Sequence, residues 1–594
     1  MSDRNVRRVR QPGRQDPQQM FLLGLIGVVG VLAFSASMSL KVGFVLTGQG
    51  MPAAEVPWNP ITLIMGFVKG TVWWAWPAVA TLVVLWTLVV VGSVVVWMVH
   101  RRRVGRRTRV DAAAAQLASA KDIASMSKAA AQKAGRQWFS REVMDRCPGL
   151  RLGHIPGSKQ SVFSTWEDLL LVLMGPRMGK STAVVIPAMV DAPGVVVTTS
   201  NKRDIVDETV ELMKSRGAVF VFDPQRIAVG LEQEPWFFDP LEMIRRDEAV
   251  MDAAALELSD IFKCAARGEN DSGDGYFRDG GRDLLARLLL AAALDGRPIS
   301  DVFLWVNDEK DKTPVRILSQ YPEWGQQHAA LRGTYQITEK TRSGLFSQAA
   351  QMAAPLGRRE AVRWVTPQAG ARRFSPDDFV REGSGTLYVL SKEGADNAAA
   401  LTTALTVAVM KAAEEYGELC GGRLPVPLVA ALDEAANVVQ WPQMPKVYSH
   451  YGSRGIIVMT VLQSYMQGEK VWGREGMELL WSAAGVVMVG GGIRDEKLLG
   501  KVEALIGDYE QVTSSVSRSR QGRSVSQQVR EKKILTVAEI AAMEAWRVVL
   551  FATKRRPMIV ALEPWWDRSW SREVTALLGS KSAGVVDGNQ GAQL

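Results

Sequence analysis

Two stretches near the N-terminus carry no charge at all: residues 20–40 (MFLLGLIGVVGVLAFSASMSL) and residues 73–99 (WWAWPAVATLVVLWTLVVVGSVVVWMV). At a rise of 1.5 Å per residue, each predicts a helix long enough to cross roughly 30 Å of hydrocarbon. Trp73, Trp74 and Trp76 stand at one end of the second stretch and Trp97 at the other, where interfacial anchors belong. Beyond residue 150 the pattern changes to short apolar or β-branched runs at 169–174, 194–199, 219–222, 385–390, 426–432, 456–462 and 485–489, separated by helix-like segments. That alternation predicts a mostly parallel sheet with helices on both faces. Residues 241–380 differ again: DGGRDLLARLLLAAALDG and later stretches have helical periodicity with little strand signal. They predict a helical domain inserted into the sheet domain over about residues 241–345. Residues 513–533 are Ser/Arg-rich without an apolar period, which fits a solvated loop or hairpin; its basic side chains could also meet phosphates.

Charge sharpens the picture at the N-terminus. The chain of 594 residues has a formal net charge of +9, and the first 150 residues hold +12 of it, leaving −3 for the rest. Arg4, Arg7, Arg8, Arg10 and Arg14 precede the first apolar stretch, and Arg101, Arg102, Arg103, Arg106, Arg107 and Arg109 follow the second. The segment between them has only Lys41 and Lys69, so the positive-inside rule predicts both termini in the cytoplasm and a short outer loop. The alternative for the first stretch is a cleaved signal peptide ending at the small residues 35–37. The basic pI belongs to these flanks and is no evidence for a nucleic-acid-binding body. Three cysteines (Cys147, Cys264, Cys420) form no CxxC, and four scattered histidines have no metal-site spacing.

The candidate chemistry lies in the strand-like runs. Residues 168–182 read DLLLVLMGPRMGKST: an apolar run, a glycine-containing loop, then Lys-Ser-Thr and a segment able to open a helix. This is the context of a phosphate-binding loop, in which backbone N–H groups and a helix N-terminus wrap phosphate oxygens. Gly175, Pro176, Arg177, Met178, Gly179, Lys180, Ser181 and Thr182 are therefore the candidate nucleotide-binding residues. Lys180 is placed to reach the β- and γ-phosphates of ATP, and Ser181 to bind Mg²⁺. The usual GxxxxGK(S/T) spacing would put the first glycine at position 174, which is Met174, so the loop is one residue short. Residues 426–434, VPLVAALDE, deliver two carboxylates at the end of a buried run. Asp433 suits the Mg²⁺ shell and Glu434 the activation of the attacking water. Gln463 ends the run 456–462 and is a candidate γ-phosphate sensor; Arg454 precedes it and is a candidate arginine finger for a neighbouring subunit. The bland reading of each is a surface polar residue at a strand end.

With these residues in place, the chain resembles the type IV secretion coupling proteins, the TraG/TraD-like conjugative DNA-transfer ATPases. The likeness runs through the two apolar spans, GPRMGKST, GYFRDGGRDLLARLLLAAAL, GTLYVLS, LDEAANVVQWPQMPKVYSHYGSRGIIVMTVLQS and VEALIGDYEQVTSS. Residues 198–202, TTSNK, depart from relatives that carry an acidic residue before the lysine. The resemblance implies a homo-hexameric ring at the inner membrane that takes ATP and Mg²⁺. It implies that the ring receives DNA bound to a relaxase, or a protein cargo, and passes it to a secretion channel. The expected fold is α/β: a RecA-like P-loop ATPase domain with a helical inserted domain and an N-terminal two-helix transmembrane anchor. The expected layout is a basic terminus (1–19), the anchor (20–99), a basic linker (100–150), the first part of the ATPase domain (151–240), the insertion (241–345), the second part (346–570) and a tail (571–594). Two other readings compete. An FtsK-like double-stranded DNA translocase usually carries more spans and a C-terminal winged helix. A nucleotide-binding scaffold without turnover would not need Lys180, Asp433 and Glu434 together.

Overall fold

The computed structural model describes residues 8–9, 17–103, 108–158, 160–266, 275–392, 394, 398–519 and 522–578. It divides into two units: residues 1–109 with 508–532, and residues 110–507 with 533–594.

In the first unit the apolar stretches fold as helices α1 (Pro17–Thr47) and α3 (Trp76–Arg103), with the short helix α2 (Pro60–Val68) between them. Asn59 caps α2 by accepting from Ile61 N (2.9 Å), and Pro60 occupies the first turn, where its missing N–H costs nothing. α1 and α3 pack closely: a Cβ on Gly43 would lie 2.9 Å from the Ala78 backbone, and Thr81 Oγ1 donates to Ser39 O at 2.9 Å. Leu40, Val56, Leu63, Val72 and Ala78 form the small apolar core of the bundle. Side chains of residues 17–30 and 95–103 lie outside the described set, and among the described residues no helix is long and apolar enough to cross a membrane. The same unit holds residues 508–532 of a long strand pair, Asp508–Ser519 with Gly522–Lys533, whose first strand pairs in parallel with Arg8–Val9. The Ser/Arg-rich segment is thus a hairpin in backbone, and the side chains of residues 512–528 lie outside the described set.

The second unit is built on one sheet of 11 strands. Its strands in chain order are β1 (Arg151–His154), β2 (Ser161–Phe163), β3 (Leu170–Leu173), β4 (Val196–Ser200), β5 (Val219–Phe222), β6 (Thr386–Leu390), β7 (Leu428–Leu432), β8 (Ile456–Leu462), β9 (Val486–Gly490), β10 (Arg547–Ala552) and β11 (Met558–Ala561). Across the sheet they run β2-β1-β11-β10-β9-β3-β8-β7-β4-β6-β5. From β9 to β5 every neighbouring pair is parallel. These are the strands the apolar runs predicted. Most are buried at every position, as strands covered on both faces must be. The remaining four, β1, β2, β10 and β11, extend the sheet antiparallel, so it is mixed, with six of its ten strand pairs parallel.

Between β5 and β6 the chain leaves the sheet for a block of helices that includes Met251–Ala265, Gly275–Leu294, Ile299–Asn307 and Glu339–Met352. The helical stretch expected to close near residue 345 runs on to Pro376–Arg381. Its root is a short ladder, Trp236–Phe237 with Arg372–Arg373. There Phe220 of edge strand β5 meets Trp236, Phe374 and Phe379 edge-on at centroid distances of 5.4, 4.9 and 5.9 Å. The open edge of β5 is bonded by the Gln233 side chain, which accepts from Val221 N (3.1 Å) and donates to Val221 O (2.7 Å).

Candidate nucleotide site

Brought together at the C-terminal ends of β3, β8 and β7 are the phosphate-loop lysine and serine, the acidic pair and Gln463. Parallel strands all present this edge on one side, and loops leaving it converge. β3 delivers the phosphate loop. Gly179 has φ +90° and Arg177 φ +61°, so two residues of the loop adopt left-handed backbone. Ser181 begins a helical segment that opens with a π-type turn (Ser181–Val185) and continues as Ile186–Val190. The first N–H groups of a helical segment have no acceptor within it, which is what an anion site uses.

Lys180 is only 8% exposed, and its Nζ donates to Met174 O (3.1 Å) and Gly175 O (3.2 Å). Burial pushes its pKa down, while the nearby carboxylates of Glu434 and Asp433 oppose that shift. β7 lies two strands from β3, yet Ser181 Oγ donates to Asp433 Oδ2 at 2.8 Å. Asp433 is 3% exposed; burial first, and then the adjacent Glu434, push its pKa up to about 6. Thr199, at the end of β4, donates its hydroxyl to Asp433 O at 2.6 Å and fixes the turn from behind. Glu434, 6% exposed, sits in left-handed backbone (φ +52°, ψ +42°). Its carboxylate accepts from Gln463 Nε2 and, at 3.4 Å, from Asn437 Nδ2. A non-glycine residue held there against a cost of about 1–2 kcal/mol is aimed by the surrounding structure rather than by its own preference.

Arg454 is not part of this group. It precedes β8 at the opposite end from Gln463, and its Nη1 pairs with Glu414 (2.9 Å) and Glu418 (2.7 Å). At about 3.3 Å per residue, the length of β8 separates it from the site of its own subunit. Pro176 and Arg177 are exposed at the loop tip, and Thr182 Oγ1 reaches back to Gly179 O at 3.5 Å. Among the described residues no cluster of three or more His, Cys, Asp or Glu suits a metal ion. A serine hydroxyl beside one aspartate is instead the donor set of a Mg²⁺ that keeps most of its ligands from phosphate and water.

Sequence reasoning missed Thr199, Asn437 and the support behind the loop. TTSNK signalled only a departure from relatives, and the run Gly490-Gly491-Gly492 after β9 was the one overt sign of a close approach there.

Residues 427–545, from the start of β7 to two residues before β10, match the family model described as the TraM recognition site of TraD and TraG. The TraG/TraD resemblance is borne out. Among solved structures, the bacterial conjugative coupling protein TrwBdeltaN70 in its unbound monoclinic form is similar over 74% of this chain and 91% of its own, with 17% identity and a TM-score of 0.51. That likeness shows a shared α/β fold with a mixed central sheet. The plasmid coupling protein TrwB in complex with ADP and Mg²⁺ is similar over 67% of this chain and 85% of its own (19% identity, TM-score 0.48). VirB4 of Thermoanaerobacter pseudethanolicus is similar over 70% and 96% (12% identity, TM-score 0.40). Comparison with the curated proteins gives no match.

Proposed function

We propose that this TraG/TraD-type chain is a membrane-anchored motor that hydrolyses ATP to couple a relaxase–DNA or protein substrate to a type IV secretion channel. The observation that carries the reading is the convergence of Lys180, Ser181, Asp433, Glu434 and Gln463 at one sheet edge. With nucleotide bound, the backbone N–H groups of residues 177–182 would hold the phosphates, since Pro176 has no N–H and that of Gly175 is taken by Gly491 O, and Lys180 would exchange its two carbonyl acceptors for phosphate oxygens. Ser181 and Asp433 would hold Mg²⁺, which would supply neutralisation of the charge developing on the phosphates. Glu434 takes the proton of the attacking water. Gln463, bonded to Glu434, orients that carboxylate and links its position to β8. Arg454 acts only across a subunit boundary, which makes the active form a ring of identical subunits.

Anchoring in the inner membrane, with both termini cytoplasmic, is part of the proposal. It is supported by the basic flanks and by the apolar side chains that α1, α2 and α3 leave exposed, among them Val31, Leu32, Val45, Leu46, Ile61, Val68, Val83, Val84, Leu88 and Val90.

The test is ATP hydrolysis by the full chain in detergent, alone and with single- or double-stranded DNA, beside mating transfer from a deletion strain. Nucleotide turnover together with lost transfer is expected. Unchanged transfer on deletion sinks the coupling role, and absent turnover sinks the motor.

A further inference from the structure

The phosphate loop makes few bonds to itself. Apart from Thr182 to Gly179 O at 3.5 Å, its side-chain bonds within the loop are those of Lys180 Nζ to Met174 O and Gly175 O. Those two are the ones a bound phosphate would draw away. The loop also has one residue fewer between its glycines than the common pattern, and it holds Arg177 and Gly179 in left-handed backbone. Something outside the loop must keep its N–H groups convergent.

The outside support comes from residues 490–546. Gly175 N donates to Gly491 O at 3.0 Å, and Gly175 approaches Gly492 so closely that a Cβ would lie 2.4 Å from Gly492 O. Met178 lies on the same glycines: a Cβ on Gly491 would be 2.8 Å from Met178 Cε. Trp546 closes the other side. Its six-membered ring rests on Gly179, where a Cβ would lie 2.4 and 2.6 Å from Trp546 Cζ3 and Cε3.

Trp546 is itself held firmly. It has φ +69°, its carbonyl accepts from Leu562 N (2.9 Å), and its ring meets Trp566 edge-on at 5.9 Å. The next residue, Arg547, is fixed by Asp111 at 2.7 Å. Gly492 N donates to Ala541 O at 3.1 Å, which ties the glycine side of the support to the segment leading into Trp546.

We propose that Trp546 is a positioning residue for the nucleotide: its ring, seated on Gly179, holds the shortened phosphate loop in its phosphate-accepting shape. The proposal rests on the ATP-site reading above. It explains how a loop one residue short keeps its geometry when Lys180 turns from the loop carbonyls to phosphate. Preorganisation of this kind acts on affinity, because a loop that must order on binding loses part of the binding energy to that ordering.

The test is calorimetric titration of the full chain in detergent with the non-hydrolysable analogue AMP-PNP and Mg²⁺, comparing wild type, Trp546→Ala, Trp546→Phe and Lys180→Ala. Trp546→Ala is expected to raise the Kd about tenfold at unchanged binding stoichiometry, with Trp546→Phe between it and wild type. A merely structural role would lower the stoichiometry and the Tm and leave the Kd of the remaining sites alone; that result overturns the proposal. So does a Kd for Trp546→Ala equal to that of wild type. If Trp546→Ala does not fold, the Kd of Trp546→Phe decides in the same way. No saturable binding by wild type, or equal binding by Lys180→Ala, overturns the nucleotide reading and this proposal together, and so differs from failure of Trp546 alone.

Discussion

Glu434→Gln separates charge from shape at the centre of the site. The glutamine keeps the volume of a side chain that is 6% exposed, and by turning its amide it can keep a hydrogen bond with Gln463. What it removes is a negative charge beside buried Asp433, and the ability to accept a proton. Asp433 is pushed from 3.8 to about 6, and at about 1.4 kcal/mol per unit the whole shift corresponds to at most about 3 kcal/mol. Burial is the largest cause and the adjacent Glu434 the second, opposed by Ser181 and Lys180, so the repulsion from Glu434 is on the order of 1 kcal/mol. The metal-free variant should therefore be as stable as wild type or gain up to about 1 kcal/mol. A positioned general base contributes roughly 10²–10⁴-fold to a proton transfer. Phosphate release should accordingly fall at least about 100-fold while AMP-PNP binding persists. Thermal unfolding, calorimetry and a phosphate-release assay on one preparation read all three quantities. A kcat within a few-fold of wild type refutes the base, and a drop of several degrees in Tm refutes the repulsion argument.

Lys180→Ala should abolish ATP binding without weakening the metal-free fold, because burial already disfavours its ammonium; a large loss of Tm would contradict this. Raised folded-state pKa values favour the protonated form, so the contribution of Asp433 is fully present below about 3.8 and is lost as pH rises through about 6. Between pH 4 and 6.5 the metal-free protein should lose up to about 3 kcal/mol relative to Asp433→Asn, and parallel stability curves for the two would contradict that. Arg454→Ala and Lys180→Ala should each be inactive alone yet regain turnover when co-assembled, since an intact Arg454 can then face an intact phosphate loop; mixtures that stay inactive would remove Arg454 from the reaction. Tyr448 is fully buried and its hydroxyl donates to Leu170 O at 2.7 Å under the phosphate-loop strand. Tyr448→Phe should cost about 1–2 kcal/mol in chemical denaturation, and a neutral result would mean the carbonyl finds another donor.

The seven parallel strands were legible because burial on both faces forces continuous apolar runs, and such runs survive in a sequence read alone. The acidic pair was legible for the related reason that carboxylates directly after a buried run stand at a strand end. Of the four antiparallel strands, β1 and β2 left little signal, because they are short and half-buried at both ends. β10 and β11 are apolar runs (RVVLFA and MIVA), but their direction rests on pairings such as Ala561 with His154, some four hundred residues apart along the chain. The helical character of residues 241–380 was legible, but where the inserted block closes was not, because no strand signal marks its end before β6.

What the sequence by itself determined is the inventory of the site: a lysine and serine after a glycine turn, two acids and a glutamine at strand ends, and a basic, apolar N-terminal region. The tertiary structure decided which of these meet. Strand order put β8 between β3 and β7, so that Ser181 could bond Asp433 and Gln463 could bond Glu434. Strand direction put Arg454 at the far edge. Packing brought Trp546 and Gly492 against the phosphate loop across more than three hundred residues of chain. Those contacts depend on how distant segments fit together in space, and local pattern carries no record of such a fit.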